Sequence, residues 1–360
     1  MRRALELARR GEGLVEPNPM VGAVVADASG TILGEGWHET FGGPHAEVNA
    51  LAAAGSAART ATLYVTLEPC SHHGKTPPCT EAILAAGISR VVVAAGDLNP
   101  VVAGRGITAL RQAGIQVDCG LLESDAVRLT APFRKLMTKG QPWVIAKWAM
   151  TFDGCLALPP AESGLAGGAT GHRWISSPES RKLVHDLRRR VDGILVGIGT
   201  ALADNPLLTC RPPGPRSLLR VVLDRTARLP LESRLVQTAS EAPLLIAVGP
   251  QAPDGRVDSL TQAGCEIWRS RTADPTGMVR NLLQELGRRQ LTNLLIEGGP
   301  TVLDTCFATN AIDEVWTFIA PRLSGGDPMS LPRLPTALPD LAIEAVRQVG
   351  DDILVCGRPR

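Results

Sequence analysis

The chain has 360 residues, of which 44% are apolar and 3% aromatic, and 37 Lys and Arg against 36 Asp and Glu leave a formal net charge of +1. That length exceeds one ordinary domain and fits about two, while the balanced charge argues against a broad nucleic-acid or polybasic membrane surface. No stretch of about eighteen apolar residues reads as a membrane span, and no apolar signal region follows Met1-Arg2-Arg3.

The first 140 residues alternate between helical and strand-like patterns. "ALELARR" reads as an amphipathic helix, and "MVGAVVAD" and "TILGEGW" as paired strands around Ala28-Ser29-Gly30. "HAEVNALAAAG" is an Ala-rich helix stopped by Gly55, "TLYVTLE" a strand, and "CTEAILAAG" a helix stopped by Gly87. "RVVVAAGD", "GITALRQAG" and "IQVDCG" continue as strand, helix and strand, an α/β layer pattern. "ESDAVRLTAPFRKLMTKG" is predicted as one helix leading out of this unit, and "GQP" marks a boundary between residues 1–141 and 142–360.

A second series opens with the strand "WVIAKWAM". "SPESRKLVHDLRRR" is a helix with Ser177 as N-cap and Pro178 in its first position. "VDGILVG", "LLRVVLD", "APLLIAVG", "NLLIEGG" and "DEVWTFIA" read as strands, "MVRNLLQELGRR" as a helix, and 159–171 and 210–217 as surface loops. No internal repeat is present.

The stretch "LEPCSHHGKTPPC" carries the sharpest chemical signal. Eight cysteines spread over the whole chain form no dense framework, so the reducing cytoplasm is the expected compartment and a Cys70–Cys79 disulfide the least favoured reading. Each of these cysteines follows a proline, which suggests that both thiols sit at helix starts, where the helix dipole favours thiolate. "GGPHAEVNA" offers His45 at another helix start, with Glu47 roughly 200° further round. Glu47 is then a poor co-ligand but well able to move protons. His45, Cys70 and Cys79 would hold zinc with one coordination position left for water, in the pattern of zinc base deaminases. Three unrelated core residues are the competing interpretation. His72 and His73 are not needed as ligands.

"PNPMVGAVV", "GEGWH", "GGPHAEVNAL", "LYVTLEPCSHHGKTPPCT" and "GDLNPVVAGRGI" resemble the deaminase half of the bifunctional riboflavin biosynthesis deaminase/reductase family. The resemblance implies a cytidine-deaminase-like α/β/α domain, with Asn18, His38, Lys75, Asp97 and Asn99 contacting a diaminopyrimidinone that carries a ribose phosphate. "DLNP" replaces the family's more usual Asp-Pro-Asn-Pro. The chain also opens at what resembles the family's second helical turn, so a few preceding residues are expected to be absent.

"WVIAKWAMTFDG", "RWISSPESR", "LRRRVDGILVGIGTALADNPLLTCR" and "LLIEGGPTVLDT" are similar to the reductase half of the same family, which implies a dihydrofolate-reductase-like α/β domain using NADPH. "GIGTAL" lacks the third glycine of a dinucleotide fingerprint, so no Rossmann domain is read from it. By the resemblance, Trp174, Thr200, Asp204 and the turn Gly298, Gly299, Pro300, Thr301, Val302, Leu303, Asp304, Thr305 are cofactor positions. His172, Arg188, Leu208, Arg211 and Glu297 are substrate positions. The backbone N–H groups of the glycine turn suit a cofactor phosphate, and Arg188 and Arg211 suit the substrate phosphate. Cys155 replaces a common lysine, residues 159–171 lengthen a loop, and His172 takes the place of a usual serine.

The expected enzyme deaminates a phosphorylated pyrimidine with Zn2+ and reduces its ribosyl group with NADPH. It is expected to act as a homo-oligomer without nucleic-acid or membrane partners. A deaminase with an impaired C-terminal half, or a nucleic-acid editing deaminase, are the alternatives.

Overall fold

The computed structural model describes residues 1–73, 77–98, 103–157, 174–324, 331–334 and 338–360. Two compact units divide the chain: Met1–Pro142 with Gln290–Thr292, and Trp143–Arg289 with Asn293–Arg360.

In the first unit the strands β1 (Gly22–Ala26), β2 (Ile32–Trp37), β3 (Thr62–Leu67), β4 (Arg90–Ala95) and β5 (Gln116–Cys119) form a sheet of order β2-β1-β3-β4-β5. β1 runs antiparallel to β2 and β3, whereas β3, β4 and β5 are parallel. Its described helices are α1 (Arg2–Ala8), α2 (Ala46–Ala54), α3 (Cys79–Ala85), α4 (Arg105–Gln112), α5 (Glu123–Leu129) and α6 (Ala131–Lys139). Strand alternation sends Ala23, Val25, Val91 and Val93 to one face, against Ala50 of α2, Ile83 of α3 and Leu110 of α4. Val24 meets Ala4 and Leu7 of α1 on the other face, and Ala94 and Ala95 meet Leu5 and Ala126 there. The result is an α/β/α sandwich.

Two local features explain how this unit takes shape. Ala46, Ala50 and Ala54 are buried along α2, and the strand beneath them carries Gly34 and Gly36. A Cβ on Gly36 would lie 2.4 Å from the Ala50 nitrogen and 2.5 Å from the Ala46 oxygen, so only glycine lets α2 lie this close to β2. The single helix expected over 123–140 is broken at Thr130, where ψ is 9°. Pro132 has no N–H to continue the ladder, and its ring would clash with the carbonyl of Arg128 four residues earlier.

In the second unit the sheet order is β10-β9-β8-β7-β11-β6-β12-β14-β13. The strands are β6 (Trp143–Thr151), β7 (Gly193–Gly197), β8 (Leu219–Leu223), β9 (Leu244–Val248), β10 (Glu266–Arg269), β11 (Asn293–Ile296), β12 (Glu314–Ala320), β13 (Leu341–Val349) and β14 (Asp352–Pro359). All neighbours are parallel except β12–β14 and β14–β13. Its helices are α7 (Pro178–Arg188), α8 (Ile198–Asp204), α9 (Arg234–Gln237), α10 (Asp254–Gln262), α11 (Pro275–Arg288) and α12 (Pro300–Ala308). Ile145, Ile194, Val196 and Leu295 pack with Val184 and Leu187 of α7, Ala201 of α8 and Leu260 of α10. The alternate residues are also buried, and among them Trp148 meets Phe307 of α12 edge-on at 6.3 Å. Parallel strands covered on both faces read as continuous apolar runs, which is why β7, β8 and β9 were visible in the sequence. The Ser177 hydroxyl accepts from the Ser180 N–H at 3.2 Å, with Pro178 in the first turn, as the sequence predicts.

Candidate active sites

His45 is the N-cap of α2, with extended backbone, and Cys79 is the first residue of α3. Cys70 departs from expectation, for it lies on the loop after β3 and not at a helix start. Its thiol is tied to a helix by a different route: the Cys79 N–H donates to Cys70 Sγ at 3.3 Å, and the Thr80 N–H donates to the Cys70 carbonyl at 3.2 Å. His45 Nδ1 lies 3.2 Å from Cys79 Sγ and 3.5 Å from Cys70 Sγ.

A tetrahedral zinc ion, with bonds of about 2.3 Å to sulfur and about 2.0 Å to nitrogen, would separate such donors by roughly 3.5 Å. The donors therefore fit zinc, and all three lie within 4.8 Å of one another. The bond from Cys79 pulls the Cys70 thiol well below its ordinary range despite desolvation, and the bond to Cys70 lifts His45. The hydrogen bond from Cys79 to Cys70 also pushes the Cys79 thiol up, so the two sulfurs share a proton that a metal would displace.

Glu47, in the first turn of α2, is buried beside this cluster, and burial pushes its carboxyl up to about 7. Its carboxylate faces Cys79. His38 stands edge-on to His45, with ring centroids 5.4 Å apart. Its Nδ1 is 3.0 Å from the Pro44 carbonyl, which can only accept, so Nδ1 carries the proton. Nε2 is then the acceptor for the Asn18 amide N–H at 3.1 Å. Burial lowers the pKa of His38, consistent with a neutral ring. Asp97 follows β4, and its N–H donates to Glu68 Oε2 at 3.3 Å. Lys75 and Asn99 lie outside the described residues. His73 pairs at the surface with Glu81 at 3.3 Å.

Glu68 went unremarked in the sequence, yet it is buried and accepts four backbone N–H groups. The available signal was a carboxylate immediately after an apolar strand, at a position too buried to be solvated.

In the second unit one cleft of ≈ 1320 Å³ gathers residues from α7, α8, β6 and the loops that follow β11 and α8. Glu297, directly after β11, accepts from Nε and Nη2 along one edge of the Arg188 guanidinium at 2.6 and 2.9 Å. Arg188 also donates to the Thr209 carbonyl at 3.0 Å. Lys147 of β6 approaches Glu297 at 3.8 Å. Desolvation opposes the charge on Glu297, but Arg188 and Lys147 outweigh it and hold its carboxyl down to about 2. Burial lowers the pKa of Lys147 in turn. This lysine was also missed, although a charge inside the apolar strand pattern "VIAKWAM" could have marked it.

Arg211, Leu208, Thr200 and Asp204 line the same cleft. Leu208 is buried, with its backbone in the left-handed region at φ 54°. Trp174 is exposed there, with the Arg181 guanidinium 5.4 Å from its ring centre. Gly298, Gly299, Pro300, Thr301 and Val302 border the cleft, whereas Leu303, Asp304 and Thr305 continue along α12 outside it. The Gly299 N–H donates to Thr200 Oγ1 at 3.1 Å, and Pro300 has none to give. This turn therefore offers a phosphate fewer donors than its glycines suggested. Cys155 is buried, with its N–H on Thr151 Oγ1 at 2.9 Å. His172 and the loop 159–171 lie outside the described residues.

Comparison with known proteins supplies the family context. Residues 1–95 match the "Cytidine and deoxycytidylate deaminase zinc-binding region" family, and residues 142–355 match the "RibD C-terminal domain" family. Riboflavin biosynthesis protein RibD of Aquifex aeolicus (strain VF5) is 41% identical, covering 90% of this chain and 87% of the relative. The protein of that name from Escherichia coli (strain K12) is 38% identical, covering 98% and 96%. Among solved structures, Acinetobacter baumannii RibD superposes with a TM-score of 0.84 at 34% identity, over 100% of this chain and 97% of that one. A diaminohydroxyphosphoribosylaminopyrimidine deaminase/5-amino-6-(5-phosphoribosylamino)uracil reductase from Thermotoga maritima gives a TM-score of 0.82 at 36% identity, with the same coverage.

Proposed function

This chain belongs to the RibD family, and from that premise we propose which of its residues carry each of two reactions. It is a bifunctional enzyme of riboflavin biosynthesis. It deaminates 2,5-diamino-6-(ribosylamino)pyrimidin-4-one 5'-phosphate with zinc. It then reduces the ribosyl group with NADPH to give 5-amino-6-(ribitylamino)uracil 5'-phosphate.

We assign deamination to residues 1–141. His45, Cys70 and Cys79 hold the zinc, which when bound supplies a Lewis acid able to make water nucleophilic at neutral pH. Glu47 performs the proton transfers. It takes a proton from the attacking water and delivers protons to the ring nitrogen and the departing ammonia, as the C–N bond breaks and a C–O bond replaces it. Burial raises the affinity of Glu47 for a proton and a neighbouring cation lowers it, so the carboxyl can both accept and release one. Asn18, His38, Lys75, Asp97 and Asn99 orient the substrate. One Asn18 N–H goes to His38, which leaves its second N–H and its oxygen for the substrate.

We assign reduction to residues 142–360. NADPH supplies the hydride, so these residues have to align the nicotinamide with the opened sugar. Trp174, Thr200, Asp204 and the Gly299–Thr305 segment are given to the cofactor. His172, Arg188, Leu208, Arg211 and Glu297 are given to the substrate. Because Glu297 neutralises Arg188, Arg211 becomes the principal cation for the phosphate, and Arg188 adds its two remaining N–H groups.

The observation that carries the proposal is the convergence of one imidazole and two thiols beside a buried carboxylate. Purified protein given the diaminopyrimidinone phosphate should release ammonia without NADPH, and should oxidise NADPH only after deamination. Ammonia release that persists undiminished in Glu47→Gln would overturn the role given to that residue. The family reading also carries a homo-oligomer, which sedimentation would test, and a cytoplasmic location suited to eight unpaired thiols. No described helix is long and apolar enough to cross a membrane.

A further inference from the structure

We infer that Glu68 is a positioning residue for deamination, a buried carboxylate that sets Asp97, just after β4, against the loop bearing the metal ligand Cys70. This rests on the assignment of Asp97 to substrate made above.

Glu68 is only 4% exposed. A carboxylate in such a place is costly unless hydrogen bonds replace its water. Oε2 accepts from the Asp97 N–H at 3.3 Å and the Gly104 N–H at 3.0 Å. Oε1 accepts from the Gly106 N–H at 3.0 Å and the Ile107 N–H at 3.3 Å. Gly104 is the N-cap of α4 and has no side chain to cap it. Glu68 supplies that cap from another part of the chain, with its negative charge on the positive end of the helix. One side chain thereby holds the main chain on both sides of residues 98–103.

The same two segments also meet through main chain. A Cβ on Gly106 would lie 1.9 Å from the Pro69 carbonyl oxygen, so the start of α4 rests directly on the residue between Glu68 and Cys70. The Glu68 N–H donates to Ala95 O at 3.0 Å, and Arg134 Nη1 donates to Gly96 O at 3.0 Å. These contacts fix the end of β4 just before Asp97. A residue needed only to terminate β3 would not require an acceptor with four lone-pair sites. A carboxylate provides them, and an amide would turn a donor toward two N–H groups.

The test is Glu68→Gln in the full chain, with zinc content, ammonia release and reduction of pre-deaminated substrate measured separately. The expected result is a deaminase KM raised about tenfold or more, with kcat within about threefold. Zinc content and NADPH oxidation should match the wild type. Hydrogen exchange should accelerate about tenfold at the amides of Asp97, Gly104, Gly106 and Ile107 and not in β4. An unchanged KM, a loss of zinc and kcat at constant KM, or unchanged exchange at those amides would each overturn the inference. Should Glu68→Gln fail to fold, Gly106→Ala separates the same two segments with the carboxylate retained and should raise KM in the same way. A wild-type protein that releases no ammonia from this pyrimidine refutes the functional reading instead, and the exchange measurement still decides what Glu68 holds.

Discussion

The two sites are built on opposite plans. The first draws its proposed ligands and proton carrier from one stretch, His45 to Cys79, and packs the imidazole and two thiols within hydrogen-bond distances. The second spreads from Lys147 to Val302, and its strongest interaction is a neutralised pair, Arg188 with Glu297, inside a large cleft. The difference follows the chemistry. Hydrolytic deamination needs the protein's own atoms to move protons, whereas hydride transfer delegates the reactive atom to a cofactor and needs mainly shape and charge balance.

Separate assays of the two half-reactions can break that contrast. The largest effect is expected from Glu47→Gln, which should cut the deaminase kcat about 10³- to 10⁴-fold while reduction of pre-deaminated substrate proceeds normally. Metal chelation should reproduce this split, with elemental analysis tracking ammonia release and not NADPH oxidation. Next comes Arg188→Ala, which takes both guanidinium hydrogen bonds from the buried Glu297 and leaves it Lys147 at 3.8 Å, and should destabilise the second unit by about 3 kcal/mol in denaturant titrations. A much smaller loss would mean that the pair is better solvated than its geometry suggests.

A pH titration sharpens the same point. The carboxyl of Glu297 is held down to about 2 against an ordinary 4.5. A depressed folded-state value stabilises above the unfolded-state value and is lost as pH falls through the folded one. The second unit should therefore lose about 3 kcal/mol between roughly pH 4.5 and pH 2, and Glu297→Gln should flatten that part of the curve. The smallest effect belongs to Gly36→Ala, where a methyl group would press α2 off its strand. A cost of about 1–3 kcal/mol is expected, with deamination reduced because His45 and Glu47 ride on that helix. Normal deamination in the stable variant would show that α2 can shift without disturbing the site.

Much of this arrangement was legible because it is local. His45, Glu47, Cys70 and Cys79 lie in two short motifs, and the buried parallel strands announce themselves as apolar runs. What escaped depends on long-range packing. Glu68 and Lys147 are charges whose partners lie far away in sequence, so no spacing rule exposes them. Arg188 was legible as a candidate phosphate ligand, but its pairing with Glu297, 109 residues on, was not. The hairpin β13–β14 was missed because β13 is largely exposed and rich in Ala, Glu, Arg and Gln, which obscures strand periodicity. Cys70 was misplaced because a proline starts helices and loops alike.

One topological detail bears on how the protein is made. β14 (Asp352–Pro359) is inserted between β12 and β13, so the second sheet cannot close its ladder until that late segment has left the ribosome. Every strand of the first sheet precedes residue 120. At about 5–20 residues per second, the nascent deaminase unit has roughly ten to fifty seconds to mature while its successor is still an open sheet. Between the emergence of β12 (Glu314–Ala320) and that of β14, roughly two to six seconds at that rate, the unfinished unit exposes an unpaired flank on β12, and chaperone demand during synthesis should concentrate there.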